Sequence, residues 1–263
     1  GCSMADMAAI EQVEQCWDAL GRVLPVEETV MPAVYVNSAA ILKAFCGEHG
    51  GLTCTSSNAR KVIEWSWARR EKILFFPDEH LGRNTANKMG IPREQMIVWD
   101  PYMPRGGNSV EAIQRAKLIL WKGHCSVHQM FQPSHVDYFR KQYPDVKVIV
   151  HPECHEDVVN KADLVGSTEY IIRTITAAPA GTTWAVGTEL NLVNRLKHEQ
   201  TDKKVFFLSS TVCQCATMYR IDAPHLCWAL ENLADGHVVN RIVVPDDEKQ
   251  WAKVALDRMM ALS

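Results

Sequence analysis

No apolar run in the 263-residue chain approaches the roughly 20 residues that span a bilayer, and no charged-then-apolar leader opens it. A reducing, cytosol-like compartment is the expected setting. An excess of one charge sign is also lacking: the formal net charge is −3, which gives no general electrostatic reason to expect nucleic acid. An anionic ligand would have to be held by a local site. Close Cys-x-x-Cys pairs are missing as well, although such pairs commonly supply structural zinc. The nine cysteines are odd in number and lack the spacing of a secreted disulfide framework, so free thiols and metal ligation fit them better. What is present is enough apolar material, 47% of residues, for one large core or two to three small ones.

Strand, small-residue turn and helix follow one another in the same order twice. In the first pass, strands are expected at residues 34–37, 52–54, 72–76 and 96–99. Ser38 is read as a helix cap, Thr55, Ser56 or Ser57 as the cap of a helix over 58–69, and a helix is expected over 81–88. Residues 101–108 form a Pro/Gly-rich loop and 110–121 read as a helix, so 100–121 looks like a surface insertion. The second pass predicts strands at 146–150, 164–166, 184–187 and 205–208, with helices over 170–175 and 189–198. Asn37 then corresponds to Glu153, Ser56 to Ser167 or Thr168, Asp78 to Glu189, and Cys125 to Cys215. The implied unit is an α/β layer with a short parallel sheet, repeated along the chain. Ligands of such sheets bind beyond the carboxyl ends of the strands, where Tyr35, Asn37, Ser56, His151, Glu153, Ser167 and Thr168 fall.

Cys2, Cys125 and Cys215 share a setting: each precedes Ser or Ala and then a helix start. Three thiolates so far apart in sequence suit a cuboidal iron-sulfur cluster in which one iron stays open. Zinc competes, since His124 and His128 flank Cys125. Cys213, two residues before Cys215, is an alternative ligand on spacing alone. Cys16, Cys46 and Cys227 lie in apolar helical patterns and read as small core residues, and Cys54 and Cys154 as packing at strand ends. His151 and Glu153 point to one side of an extended segment and suit acid/base chemistry, although a lone histidine there would more often be structural. Ser167-Thr168 reads equally as a plain helix cap or as a phosphate or carboxylate cradle. Asp78 and Glu79 read as charges favouring a helix N-terminus.

The blocks Tyr35-Val36-Asn37-Ser38, Pro77-Asp78-Glu79-His80-Leu81-Gly82, Gly123-His124-Cys125-Ser126-Val127-His128, His151-Pro152-Glu153-Cys154, Gly166-Ser167-Thr168 and Cys215-Ala216-Thr217-Met218 together resemble the quinolinate synthase A (NadA) family. The resemblance implies a cytoplasmic transferase of pyridine nucleotide (NAD) biosynthesis, with α/β/α domains around a pseudo-threefold axis. It divides the chain into a remnant of the first domain (1–20), a second (21–125) and a third domain (126–215), and a C-terminal helical segment (216–263) packing back on the first. It implies a 4Fe-4S cluster held by Cys2, Cys125 and Cys215, with the open iron as Lewis acid. The implied reaction condenses iminoaspartate with dihydroxyacetone phosphate to quinolinate, with loss of phosphate and water. Glu153 is the implied main acid/base group, assisted by Tyr35 and His151. Substrate binding falls to Tyr35, Asn37, Ser56, His128, His151, Glu153, Ser167 and Thr168. Transient contact with L-aspartate oxidase is a further implication, as is the absence of nucleic-acid or membrane partners. The family's first domain, which adds a His and a Ser to the pocket, lies upstream of Cys2, so the chain as given is expected to be a fragment and is a candidate for inactivity. An aconitase-like hydro-lyase, an iron-sulfur redox or sensor module and a structural zinc protein are the alternatives.

Overall fold

The computed structural model describes residues 2–212 and 214–262; Cys213, the alternative ligand, lies outside them. The first sheet grows from helices α1 (Ile10–Gly21) and α2 (Val26–Thr29) into strand β1 (Val30–Tyr35). There follow α3 (Ala40–Glu48), β2 (Leu52–Cys54), α4 (Ala59–Trp67), β3 (Lys72–Phe76), α5 (Glu79–Lys88), β4 (Met96–Trp99), α6 (Val110–Arg115) and β5 (Leu118–Trp121). The strands are all parallel, in the order β2-β1-β3-β5-β4. A parallel sheet is stable only with both faces covered, and the sequence supplies apolar residues for both. Leu74 and Phe76 of β3 face a layer built from Trp17, Leu20 and Phe45, while Ile73 and Phe75 face Val62, Ile63 and Leu81. Each such fully buried side chain contributes about 1.5–3 kcal/mol of transfer free energy.

The second sheet repeats the plan. Helices α7 (Ser126–Gln129) and α8 (Pro133–Gln142) lead to β6 (Lys147–Val150), α9 (Glu156–Lys161), β7 (Leu164–Val165), α10 (Thr168–Ala177), β8 (Thr183–Gly187), α11 (Leu190–Glu199) and β9 (Lys204–Phe207). The parallel order is β7-β6-β8-β9. Val148, Val150 and Ala185 pack under Val136, Phe139 and Val158, and Ile149, Trp184 and Val186 under Ile171, Ile175 and Val193. The β2-β1-β3 and β7-β6-β8 arrangements are equivalent, with β5 and β9 next in each sheet. Asp78 and Glu189 occupy the same role, each accepting backbone N–H bonds as the cap of the helix after its strand.

Several local expectations are corrected. Residues 110–121 are not one helix: α6 stops at Arg115, and Leu118–Trp121 is β5, fully buried between β3 and β4. The 100–121 stretch is therefore no surface insertion. Relative to the second sheet, the added material is the edge strand β4 with the turn and helix that follow it. Strand β1 begins at Val30 rather than at residue 34 and runs through Pro32; β2 pairs only from Ala33 onward, so the missing N–H lies beyond that ladder. Helices α3 and α4 start at Ala40 and Ala59, without side-chain caps from Ser38 or from residues 55–57. Cys227 is exposed, because no residue of α12 (Ala223–Ala234) is buried. The final helix, α13 (Asp246–Met260), packs on α3 and β2. Among the described residues no helix is long and apolar enough to cross a membrane.

Candidate functional site

The carboxyl ends of both sheets border one cavity of about 560 Å³. From the first sheet come Tyr35 at the end of β1, Asn37 just beyond it, and Ser56 after β2. The second sheet contributes His151 and Glu153 after β6, and Ser167 and Thr168 after β7. Cys125 and His128 follow β5, Cys215 follows β9, and Cys2 enters from the N-terminal segment. Every site residue expected from the sequence thus lines this one cavity. Strand geometry fixes where these groups sit, while local ties set their depth. Trp121 Nε1 donates to the Met7 carbonyl at 2.8 Å and Met4 is buried, which pins the Cys2 segment against β5. Gly123 packs so tightly on the β3–α5 turn that a Cβ there would stand 2.2 Å from the Pro77 oxygen, and the Glu79 N–H donates to the Gly123 carbonyl at 2.9 Å. Only glycine permits that approach, which seats the Cys125 loop. Asp78 caps the same turn, its Oδ1 accepting from the Leu81 N–H at 2.6 Å.

Glu153 is the electrostatic centre. Its Oε2 lies 2.9 Å from Nδ1 of His128, without the alignment of a hydrogen bond, so the contact is one of charge. Burial opposes charging the His128 ring, but the Glu153 carboxylate and the Cys125 sulfur override it and push its pKa up to about 10. Burial would likewise raise Glu153; the imidazoles of His151 and His128 and the Tyr35 hydroxyl hold it below the ordinary carboxylate range instead. His151 stacks on His128 with ring centroids 4.6 Å apart. Its Nδ1 accepts the Glu153 N–H at 3.3 Å, so its proton sits on Nε2, and burial drives its pKa down to about 4. Burial, then the charge of Glu153, raise the pKa of both Tyr35 and Asp78, and Tyr35 therefore keeps its hydroxyl proton at neutral pH. The site at neutral pH therefore holds an anionic Glu153 and a cationic His128 with a neutral His151 and a neutral Tyr35 beside them.

The thiols fit a metal-sulfur centre by the chemistry of the donor set. Cys2, Cys125 and Cys215 are free, half-buried and on the cavity wall, whereas Cys16, Cys46, Cys54 and Cys154 are buried, with thiol pKa values raised mainly by burial. At Cys215, burial raises the pKa, but the Thr217 hydroxyl and the N–H groups of Met218 and Thr217 outweigh it and favour the thiolate. Ligand atoms of Cys125, His128 and Glu153 also lie within 4.8 Å of one another, the spacing of a mononuclear site. In that trio the histidine and the carboxylate already neutralise each other, so the three cysteines are the better donor set for a polynuclear cluster.

A profile of the family described as quinolinate synthetase A protein matches residues 1–261. The chain belongs to this family. A quinolinate synthase of Rhodopirellula baltica is 59% identical over 263 residues, covering 100% of this chain and 67% of the relative. That of Acidobacterium capsulatum is 58% identical over 100% of the chain and 71% of the relative, and that of Herpetosiphon aurantiacus 55% over the same shares. Beyond the site residues expected from the sequence, the quinolinate synthetase A pocket here includes Thr188, Glu189, Thr217 and Met218. Thr188 Oγ1 stands 3.4 Å from Nε2 of His128. These four fall at strand ends or beside Cys215, and strand-end position was the signal that could have found them. Asn84 carried no such signal: it sits mid-helix, yet it reaches the His151–Cys154 loop.

Proposed function

We propose that this cavity condenses iminoaspartate with dihydroxyacetone phosphate to quinolinate, releasing phosphate and two waters. The observation that carries the reading is the anionic Glu153, set between His128 and Tyr35 on a wall that also bears three free thiols. Oε2 of Glu153 faces His128, so Oε1, which stands 3.9 Å from His151 Nδ1, is the atom proposed to take and return substrate protons. Tyr35 and His151, both neutral donors through Oη and Nε2, steady the oxygen or nitrogen on which charge develops. Ser167 Oγ accepts from Tyr170 N, leaving its hydroxyl proton for an anion at the N-terminus of α10 beside Thr168. Asn37 and Ser56 hold the opposite end of the substrate pair. Cys2, Cys125 and Cys215 would hold a 4Fe-4S cluster, which when bound supplies a Lewis-acidic iron for substrate oxygen. The free thiols suit a reducing cytoplasm. Because an imine hydrolyses in water, contact with the L-aspartate oxidase that supplies it is part of the reading.

Glu153→Gln keeps the shape of the side chain and removes its basicity. Quinolinate formation should fall by about 10²–10⁴-fold while iron and acid-labile sulfide per chain stay at the wild-type level. Wild-type turnover in that variant would overturn the assignment.

A further inference from the structure

Three consecutive carbonyls around the proposed acid/base group are each taken by a side-chain amide. Nδ2 of Asn84, on α5, donates to the carbonyls of Pro152 and Cys154, both at 2.8 Å. Nε2 of Gln129, on α7, donates to the carbonyl of Glu153 between them at 3.2 Å. Backbone bonds close the rest of the loop, from His151 N to Gly187 O at 2.9 Å and from Cys154 N to His151 O at 3.1 Å. The peptide planes on both sides of the Glu153 Cα are therefore fixed, one to α5 of the other unit and one to α7 of its own, and with them the direction of its side chain.

Asn84 is 2% exposed, and its Oδ1 is buried without a hydrogen-bond partner. The amide cannot be turned over, because Oδ1 would then face two carbonyl oxygens. An orphaned buried oxygen is a costly way to join two units when exposed contacts already do so. Arg93 and Asn87 reach Glu156, and Lys88 reaches the Val165 carbonyl. The same helix begins at Glu79, whose N–H donates at 2.9 Å to the carbonyl of Gly123 at the start of the Cys125 loop. One rigid ten-residue element thus touches both the cysteine loop and the glutamate loop.

We infer that Asn84 is a positioning residue for Glu153, aiming its carboxylate into the cavity from the neighbouring unit, with Gln129 as the weaker second clamp. The inference rests on the acid/base role proposed for Glu153. Asn84→Asp preserves size and removes the doubly used donor. In cluster-loaded enzyme it should lower kcat, counted per cluster, by about 10–100-fold, with KM for the phosphate substrate nearly unchanged and iron content at the wild-type level. A merely structural asparagine would lower the folded fraction and leave kcat per cluster alone. The deciding comparison is a double-mutant cycle: added to Glu153→Gln, Asn84→Asp should slow the residual rate by no more than about twofold. Asn84→Ala, which removes the donors without adding a charge, is read by the same criteria should the aspartate variant fold poorly. Wild-type kcat per cluster in both Asn84 variants, or a full additive loss in the cycle, overturns the positioning role while the reading of Glu153 stands. Wild-type kcat in Glu153→Gln itself sinks that reading, and this inference with it.

Discussion

Two buried histidines refuse protons that the unfolded chain would accept. His151 and His80 both have pKa values lowered to about 4, chiefly by burial, against an ordinary value near 6.5. Their contribution to stability is present above pH 6.5 and is lost as pH falls toward 4, because the unfolded state then binds the extra protons. Asp78 works the other way: burial, first of all, raises its pKa, so the folded state takes up this proton at a higher pH than the unfolded chain does. The His80 contribution is isolated by difference. The gap in unfolding free energy between wild type and His80→Gln should shrink as pH falls from about 6.5 to about 4, with a slope near one proton. Chemical denaturation at a series of pH values measures it; a pH-independent gap would contradict the burial argument. His128 has the opposite sign, its raised pKa of about 10 giving stability that is lost as pH rises from about 6.5 through 10. Residue types at strand ends were readable in the sequence: Tyr35, Asn37, Ser56, His151 and Glu153 follow short apolar runs. The charge states were not, because they depend on His128 and Glu153 meeting across the two sheets.

Among the elements, the repeat was readable where period and small-residue turns agreed, as at 52–54 followed by Thr55 and at 164–165 followed by Gly166. Strand β5 was not, since Leu118–Trp121 follows a helical segment without a Gly or Pro break and is as apolar as a buried helix turn. Helix α5 hid its role for a different reason: its His80, Arg83 and Asn84 look like a solvated face but are buried against the second unit. The partners of Asn84 stand 68 and 70 residues away in sequence. The seat of the Cys125 loop gives an element-level test. Gly123→Ala must push the loop off Pro77, since the added carbon would lie 2.2 Å from a backbone oxygen. It should cost about 1–3 kcal/mol of stability and lower iron incorporation. Wild-type iron content in Gly123→Ala would mean the loop is free to move and is not seated by this contact.

Across the whole molecule, two parallel sheets aim their carboxyl ends at one cavity, so groups scattered from Cys2 to Cys215 become neighbours without any long-range sequence signal. The order of the family blocks carried the prediction that they meet; sheet direction supplies the physical cause. The account stands or falls on which sulfurs hold the metal centre. Iron and acid-labile sulfide should be counted on anaerobically purified wild type and on the Cys215→Ala and Cys213→Ala variants, each followed by electron paramagnetic resonance of the reduced protein. The expected result is about four of each per wild-type chain, retained in Cys213→Ala and lost in Cys215→Ala. Retention in Cys215→Ala with loss in Cys213→Ala would contradict it, as would zinc without sulfide in the wild type.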